Sequence, residues 1–320
     1  MLNIAMISKW HVHAKMYAKQ IESFPNVKIT CVWDEDPERG QAWADELGVP
    51  FAPDYDDLLQ RNDVDAVVVC SPTDMHPELM IKAAGAGKHI FTEKVVALTK
   101  KDALLVKEAV ERNKINLVIS FPQRTKPEHL FAKRAVEDGL LGDVTMARVR
   151  NGHNGASSNW LPQYWYDKKT TGGGAMMDLG AHPVYLLNWL LGKPKSVQMS
   201  AAWYTNRQVE DSAACNIVYQ NGAVAVAESS LCAFASPYIM EIYGTKGVLF
   251  IRGGNVLLKT EDQDWVTPEL PPERPSALSQ FISACENGTS AEFGIDDAIA
   301  LTEVMEGAYI SLDTGKTYEF

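Results

Sequence analysis

Apolar and polar positions follow two alternating patterns over the first 120 residues. Short apolar runs, typical of strands, alternate with segments in which apolar residues recur at helical spacing. The pattern predicts strands at Leu2–Ile7, Val27–Trp33, Ala66–Cys70, His89–Thr92 and Asn116–Ser120. It predicts helices at Ala14–Phe24, Pro37–Leu47, Pro77–Ala86 and Lys101–Asn113. Because the third strand is almost continuously apolar, residues 1–121 are predicted to form an α/β domain with a doubly wound parallel sheet.

After residue 121 the pattern changes to runs of one kind of element. Short strand-like segments are separated by turn signals such as Gln220-Asn221-Gly222, which is typical of an antiparallel sheet. The predicted strands are Val197–Tyr204, Ala213–Tyr219, Ala223–Ser230, Tyr238–Tyr243 and Val248–Ile251. The predicted helices are Glu128–Asp138, Asp178–Leu191, Ser276–Asn287 and Asp296–Ser311. Residues 122–320 are therefore predicted to form an α+β domain.

Charge and composition narrow the classes of partner. The chain has 30 basic and 41 acidic residues and a net charge of −11, which argues against binding to nucleic-acid phosphates. No apolar run approaches the roughly 18 residues of a membrane span, and the N-terminal residues do not resemble a signal peptide. The five cysteines are scattered, as is typical of a reducing compartment. We therefore expect a cytoplasmic protein with no nucleic-acid or membrane partner.

The turn after the first predicted strand lacks the glycines of a dinucleotide-binding fingerprint. In a doubly wound sheet, ligands bind beyond the carboxyl ends of the strands, and the first turn commonly carries G-x-G-x-x-G. Here residues 8–13 read S-K-W-H-V-H, and the glycine positions hold Ser8, Trp10 and His13. The N-terminus of the following helix still attracts anions. Lys9, His11 and His13 can donate to phosphate, or the histidines can cap or pack against the turn.

Two further features concern the ligand of this turn. A metal site at His11 and His13 would need a third ligand, and no nearby cysteine or carboxylate has suitable spacing, so no metal is expected. Asp34, at the end of the second strand, can accept hydrogen bonds from ribose hydroxyls and repel a 2′-phosphate, which predicts NAD rather than NADP. The alternative is that Asp34 caps the helix that begins near Pro37.

Polar residues also follow the third and fourth predicted strands, at the same edge of the sheet. The third strand leads into a Ser-Pro-Thr sequence at 71–73, with His76 close behind. The fourth leads into Glu93-Lys94. A Glu-Lys pair after a buried strand forms either a structural ion pair or part of a catalytic site.

Four motifs together resemble a known family. They are Ser71-Pro72-x-x-x-His76, Ala84–Ile90, Glu93-Lys94 and Gly172-Gly173-Gly174-x-x-x-Asp178-x-Gly180-x-His182. Their order and spacing are similar to those of the glucose–fructose oxidoreductase, inositol dehydrogenase and MocA (Gfo/Idh/MocA) family. The resemblance implies a Rossmann domain and an α+β domain with a large, open, mostly antiparallel sheet that forms a homodimer or homotetramer. It also implies NAD or NADP as cofactor and a small sugar, polyol or inositol-like substrate.

The resemblance implies catalytic roles for Lys94, Asp178 and His182. Histidine titrates near neutrality, so His182 suits a base that removes a hydroxyl proton. Lys94 would stabilise a developing alkoxide. Asp178 would orient the imidazole or bind a substrate hydroxyl, if the two residues share a helix face at i and i+4. Pro183 favours instead a helix that begins near His182, with Asp178 in the preceding loop.

The resemblance also predicts binding residues. Those for the cofactor are Ser8, Trp10, His11, His13, Asp34, Ser71, Pro72, Thr73, His76, Glu93 and Lys94. Those for the substrate are Arg124, His153, Tyr166 and Asp178, although the aromatic residues can equally serve packing and Arg124 can pair with an acid. The glycines at 172–174 either let the backbone approach a ligand or form a flexible loop.

The chain departs from the family pattern at three places. The glycine fingerprint is lost, Val95 replaces the proline that follows the family's Glu-Lys pair, and Tyr185 replaces an aspartate found in many members. The first departure favours a rival interpretation, in which the protein has lost catalysis and senses a ligand through the same fold.

Overall fold

The computed structural model describes residues 1–235 and 238–320, and the chain divides into two compact domains. The first domain combines Met1–Ser120 with Pro275–Ile299, and the second combines Phe121–Arg274 with Ala300–Phe320. The first boundary lies next to the predicted cut between residues 121 and 122. That single cut does not describe the whole division, because a segment near the C-terminus returns to the first domain.

A parallel five-stranded sheet forms the centre of the first domain, as the apolar runs predict. Its strands are β1 (Leu2–Ile7), β2 (Val27–Trp33), β3 (Ala66–Val69), β4 (His89–Thr92) and β5 (Leu117–Ile119). They lie in the order β2-β1-β3-β4-β5, and each neighbouring pair is parallel. Because all strands run in one direction, residues 8, 34, 70, 93 and 120 follow strand ends at a single edge of the sheet.

Helices connect these strands, and local signals set their ends. They are α1 (Ala14–Glu22), α2 (Pro37–Leu47), α3 (Tyr55–Leu59), α4 (His76–Gly85) and α5 (Lys100–Asn113). The Asp36 carboxylate accepts hydrogen bonds from the amides of Glu38 and Arg39 at the start of α2. Gly48 follows the end of α2 with a φ of +66°, a left-handed conformation that favours glycine.

The second domain is built on an eight-stranded sheet in the order β12-β11-β10-β6-β9-β8-β7-β13. Its strands are β6 (Val144–Gly152), β7 (Pro194–Ala202), β8 (Ser212–Tyr219), β9 (Val224–Ser230), β10 (Ile239–Gly244), β11 (Gly247–Arg252), β12 (Asn255–Thr260) and β13 (Tyr318–Glu319). Neighbours are antiparallel except β6 and β9, which are parallel. The predicted fold class is confirmed.

The strand predictions missed β6, which lies near the middle of this sheet. Arg148 and Arg150 alternate along β6 with the buried residues Ala147 and Val149. Both arginines donate to Glu228 Oε2 on β9, from Nε, at 3.0 and 2.7 Å. Two arginines in a short segment do not indicate a strand near the middle of a sheet. Their partner Glu228 is about 80 residues away, so the sequence around them does not show that their charges are paired.

The helices of the second domain include one that starts later than predicted. The remaining helices of the chain are α6 (Pro127–Glu137), α7 (Lys168–Thr171), α8 (Ala181–Leu191), α9 (Ala277–Asn287) and α10 (Ile295–Thr314). The predicted helix Asp178–Leu191 is α8 preceded by a π-helical segment, Met176–Gly180. Pro183 therefore lies in the first turn of α8, where proline is favoured.

Helix α9 packs in the first domain, far along the chain from the sheet that it covers. Phe281 is fully buried, and its ring centroid lies 5.8 Å from that of Phe91 on β4. The Ile119 amide of β5 donates to the carbonyl of Phe293 at 3.0 Å. These contacts explain why the first domain is discontinuous in sequence. Among the described residues, no helix has both the length and the apolar character needed to cross a bilayer.

Candidate active site

The turn after β1 keeps the backbone shape of a fingerprint glycine without the glycine. Ser8 has a φ of +68°, in the left-handed region that side chains rarely adopt. Its amide donates to the carbonyl of Trp33 at 2.7 Å, and its side chain is fully buried. The sequence therefore retains the sharp exit from β1, although a hydroxymethyl group fills the first glycine position.

Internal partners occupy the amides of this turn. The amide of Lys9 donates to Asp34 Oδ2 at 2.8 Å, and the amide of Trp10 donates to Ser8 Oγ at 3.1 Å. The amide of His11 donates to the carbonyl of Cys70 at 2.9 Å. In a glycine fingerprint, amides of the turn and the next helix bind pyrophosphate. In this protein, the amides of Lys9, Trp10 and His11 instead donate to acceptors within the chain.

The carboxylate of Asp34 is also fully engaged within the protein. Oδ1 accepts from the amide of Asp36 at 2.9 Å, and Oδ2 accepts from the amide of Lys9. Arg39 donates to both oxygens, from Nη2 at 2.5 Å and from Nε at 3.0 Å, and also pairs with Glu35. The side chain of Asp34 is 0% exposed. The alternative in which Asp34 caps α2 is wrong, because Asp36 makes the capping hydrogen bonds.

The same turn brings two histidines to a carboxylate from the end of β4. Nδ1 of His13 lies 2.8 Å from Glu93 Oε1, and Nδ1 of His11 lies 3.8 Å from the same oxygen. The hydroxyl of Tyr17 donates to Glu93 Oε1 and lies 2.8 Å from Ser120 Oγ. Sequence spacing showed no third candidate ligand beside the histidines, and the fold brings a carboxylate there from a residue 80 positions from His13.

Burial and charge act in opposite directions on Glu93. The residue is about 1% exposed, and burial alone would raise the pKa of its carboxyl group. The nearby His11 and His13, the hydrogen bond from His13 and the charge of Lys94 outweigh burial and hold the pKa of Glu93 well below its ordinary value. Glu93 is therefore an ionised carboxylate in the interior of the domain.

The predicted site residues around the ends of β3 and β4 are buried and tightly connected. Ring nitrogens of His76 lie 2.8 Å from the carbonyl of Val95 and 3.0 Å from that of Ser71. Burial lowers the pKa of His76, although both hydrogen bonds favour the charged ring. Lys94 is 6% exposed, and its amide donates to Glu93 Oε2 at 3.1 Å. His76 thus joins the two strand ends, with Pro72 and Thr73 leading from Ser71 into α4.

In the second domain, Asp178 and His182 each have an aromatic hydrogen-bond partner. Trp165 Nε1 donates to Asp178 Oδ2 at 3.2 Å. Nδ1 of His182 lies 2.9 Å from the hydroxyl of Tyr185, which accepts from the amide of Gln123 at 3.0 Å. Tyr185, a departure from the family pattern, therefore orients the imidazole through Nδ1. This role was not predicted; Tyr185 is one helical turn from His182, and that spacing was the available signal.

The glycine run before Asp178 packs tightly against other residues of the second domain. The alternative in which these glycines form a flexible loop is therefore wrong. A Cβ atom on Gly173 would collide with the ring of Tyr309, and one on Gly174 would collide with the carbonyl of Glu210. The Glu210 carboxylate accepts from the amides of Gly174 and Met176 at about 3.0 Å. The hydroxyl of Tyr309 donates to Glu210 Oε1 at 2.7 Å. The buried Glu210 and the half-buried Tyr309, which the sequence analysis missed, position the segment that carries Asp178.

The predicted substrate residues Arg124, His153 and Tyr166 have different surroundings. The guanidinium of Arg124 is buried, 5.0 Å from the ring centroid of Trp189. His153 Nδ1 accepts from the amide of Gly155 at 3.0 Å, and the hydroxyl of Tyr166 donates to the carbonyl of Gly155 at 3.3 Å. The structure therefore brings His153 and Tyr166 to one loop and places Arg124 against an aromatic ring.

Comparisons with known proteins identify the family. Residues 4–121 match the profile of the oxidoreductase family with an NAD-binding Rossmann fold, and residues 129–250 match the GFO/IDH/MocA C-terminal domain. The chain is 30% identical over 241 residues to the uncharacterized oxidoreductase YrbE of Bacillus subtilis (strain 168), covering 73% of this chain and 69% of that protein. The chain belongs to the Gfo/Idh/MocA family of oxidoreductases, and its first domain is the family's NAD-binding Rossmann domain.

A second relative and a solved structure are also similar to this chain. An inositol 2-dehydrogenase of Rhizobium meliloti (strain 1021) is 25% identical over 315 residues, covering 93% of each chain. The solved structure of an aldose-aldose oxidoreductase from Caulobacter crescentus has a TM-score of 0.85 and 20% identity, covering 100% of this chain and 99% of that chain. At that identity, the second likeness concerns the fold.

The first turn does not fit the family's dinucleotide in the manner of a glycine fingerprint. Trp10 and His11 are buried in the turn, and the amides described above already have internal acceptors. A pyrophosphate in the ordinary position would have to compete with these contacts. Other donors at the sheet edge, or a rearranged turn, would let the dinucleotide bind without this competition.

Titration of Glu210 should lower stability as the pH rises. Burial raises the pKa of Glu210, although hydrogen bonds from Tyr309 and backbone amides oppose it. Above about pH 4.3 the unfolded chain loses this proton while the folded chain keeps it, so stability falls until the raised folded pKa is passed. We expect Glu210→Gln to remove this part of the pH dependence in urea unfolding between pH 4 and 8.

The exposed Glu269→Gln variant is the matched control for this measurement. The free energy of unfolding of wild type minus that of Glu210→Gln should decrease over the window, by about 1.4 kcal/mol for each tenfold change in acidity. A difference that stays constant, or that rises with pH as it would for a carboxyl group of lowered pKa, would contradict the burial argument.

Proposed function

We propose that this protein transfers a hydride between NAD and a hydroxyl or carbonyl group of a sugar, polyol or inositol-like substrate. The observation that carries the proposal is the constrained environment of His182, which is 8% exposed and held through Nδ1 by Tyr185. A base whose ring is oriented by a hydrogen bond on one nitrogen is suited to proton transfer through the other. The inositol 2-dehydrogenase relative supports the substrate class.

Each catalytic candidate has a separate role in this proposal. His182 takes the proton of the substrate hydroxyl during oxidation and returns it during reduction. Lys94, a buried basic residue at the end of β4, stabilises negative charge that develops on the substrate. Asp178, whose Oδ2 accepts from Trp165, binds a neighbouring substrate hydroxyl. The bound nicotinamide accepts or supplies the hydride.

Several finer assignments belong to this proposal. His153 and Tyr166 provide aromatic surface for the apolar face of a sugar ring. The eight-stranded sheet forms the interface of a homodimer or homotetramer, because side chains such as Met146 and Val224 are 48% and 42% exposed on its strands. A cytoplasmic location agrees with cysteines that are all free thiols among the described residues.

A second candidate function is ligand sensing without catalysis. The observation that favours it is the internal hydrogen bonding of the first turn, where the amides of Lys9, Trp10 and His11 all have protein acceptors. A protein that no longer turns over a dinucleotide has no need of an open phosphate site. Lys94, Asp178 and His182 favour the enzyme, because a sensor would not need this set of proton-transfer groups.

We predict that NADH binds more tightly than NADPH, by at least about tenfold, or ~1.4 kcal/mol. The carboxylates of Asp34 and Glu35 share the single guanidinium of Arg39, so a net negative charge remains at the end of β2. This charge repels a 2′-phosphate. Titrations of both reduced cofactors, followed by nicotinamide fluorescence, measure the ratio of dissociation constants.

Matched variants test the origin of this preference. Glu35→Gln should narrow the ratio, because one carboxylate then neutralises Arg39. The exposed Glu38→Gln variant on α2 should leave the ratio close to that of wild type. Tighter binding of NADPH by the wild-type protein would contradict the prediction.

We predict that His182→Ala and Lys94→Ala each reduce turnover by about 10²–10⁴-fold, as loss of a proton-transfer group or charge stabiliser does. NADH formation with NAD and a panel of inositols, sugars and polyols measures the rate. Lys82→Ala, on the exposed face of α4, is the control and should retain full activity. Circular dichroism confirms that each variant is folded.

The outcomes of this experiment distinguish the two candidate functions. Near-normal rates in a folded His182→Ala or Lys94→Ala variant would remove that residue from the mechanism. If wild-type protein binds NADH and a polyol but produces no absorbance change with any compound of the panel, the sensing function replaces the enzyme.

A further inference from the structure

The cluster of His11, His13 and Glu93 has the composition of a metal site. One ring nitrogen from each histidine and one carboxylate oxygen all lie within 4.8 Å of one another. Ligands about 2.0–2.2 Å from a tetrahedral zinc ion lie roughly 3.3–3.6 Å apart. The measured separations of 2.8 and 3.8 Å between Glu93 Oε1 and the two Nδ1 atoms bracket that range. An ion would fit once side-chain rotations bring all three ligand atoms, which lie within 4.8 Å of one another, to this spacing.

The histidines can present the unprotonated nitrogen that a metal requires. In its neutral form, His11 accepts a hydrogen bond from the amide of His13 at Nδ1, so this nitrogen offers a lone pair to a metal. That hydrogen bond is 3.2 Å long, at the upper end of the usual range. A metal–nitrogen bond would replace a weak contact. Nδ1 of His13 donates to Glu93 Oε1, so an ion bound there displaces a proton from His13.

Neighbouring groups hold the carboxylate of Glu93 in place from outside the cluster. Tyr17 donates its hydroxyl to Oε1, and the amide of Lys94 donates to Oε2 at 3.1 Å. Ser120 Oγ lies 2.8 Å from the Tyr17 hydroxyl. Hydrogen bonds of this kind orient metal ligands, and their loss typically costs about 10–100-fold in metal affinity.

Access and rigidity also favour a bound ion. The side chain of His13 is 38% exposed, whereas those of His11 and Glu93 are 6% and 1% exposed. The cluster therefore has one ligand at the surface, through which an ion can enter, and two in the interior. The internal hydrogen bonds of the turn at 8–11 fix its backbone before any ion arrives.

From these contacts we propose that His11, His13 and Glu93 form a binding site for one divalent transition-metal ion. The three protein ligands leave a coordination position for water or for an anionic oxygen of a ligand. This proposal concerns metal binding by the protein without cofactor or substrate. The test of metal binding is therefore independent of the proposed oxidoreductase activity.

The donor set selects the class of ion. Two imidazoles and one carboxylate suit Zn²⁺, Co²⁺ or Ni²⁺, whereas Mg²⁺ and Ca²⁺ prefer oxygen ligands. The positive charge of Lys94, which helps to lower the pKa of Glu93, repels cations. This repulsion disfavours ions that bind mainly through electrostatic attraction. An ion bound by nitrogen lone pairs is less dependent on net charge.

The test uses the full chain, freed of metal with a chelator and then titrated with Co²⁺. The expected result is a visible d–d absorption band that saturates at one ion per chain and disappears when Zn²⁺ displaces cobalt. Elemental analysis after Zn²⁺ loading and desalting gives the stoichiometry independently. Zn²⁺ should also raise the melting temperature, since a ligand that binds the folded state stabilises it.

Variants assign the site to these residues. His13→Ala, at the exposed ligand, should weaken Co²⁺ binding by more than about a hundredfold, beyond the effect expected of an outer partner. Tyr17→Phe keeps all three ligands and should weaken binding by about 10–100-fold. The control is His89→Asn, which alters a histidine of the same domain whose Nδ1 accepts from the amide of Asn116. It should bind Co²⁺ like wild type.

Two results would overturn the proposal. One is the absence of a saturable cobalt band, with well under one zinc per chain. The other is wild-type metal affinity in a folded His13→Ala variant, which would place the bound ion elsewhere. Either result would leave His13 and Glu93 as an ion pair that fastens the turn to β4.

Discussion

The buried carboxylate of Glu93 is the interaction on which the ligand-binding edge of the first domain depends. It accepts from Tyr17 of α1 and from the amide of Lys94, and it pairs with His13 at the start of α1. An ionised group in the interior costs several kcal/mol unless hydrogen bonds and opposite charges compensate it. His13, which fills the third glycine position of the turn, and the neighbouring His11 provide this compensation.

A second buried charge pair fixes the other side of the same turn. Asp34 receives the amide of Lys9 and both donor groups of Arg39, so the end of β2 is tied to the end of β1. In the second domain, Glu210 has a comparable role, since it holds the glycine run that leads to Asp178. In each case an acidic residue binds backbone amides of a segment that carries predicted site residues. These acids position the candidate groups, and Lys94 and His182 remain the groups assigned to chemistry.

The sequence predicted most of the fold because apolar runs and local caps determine most elements. Short apolar runs identified all five strands of the parallel sheet, β1 to β5, and Pro37 and Pro183 marked helix starts. The packing of Phe281 in the first domain, the charged strand β6 and the third ligand at Glu93 were missed. Each depends on contacts between residues far apart in the chain, about which local patterns carry no information. Motif order identified the family and the candidate residues, but not the internal partners that occupy the first turn.

The central claim is that the protein itself satisfies the amides of the first turn before any ligand binds. Amide hydrogen exchange of the ligand-free protein, resolved at Ser8, Lys9 and His11 by NMR, tests this claim most directly. The account predicts slow exchange at all three amides, because their acceptors are Trp33, Asp34 and Cys70 in a buried turn. Fast exchange in the free protein, with protection only after NADH is added, would show an open phosphate cradle and contradict the account.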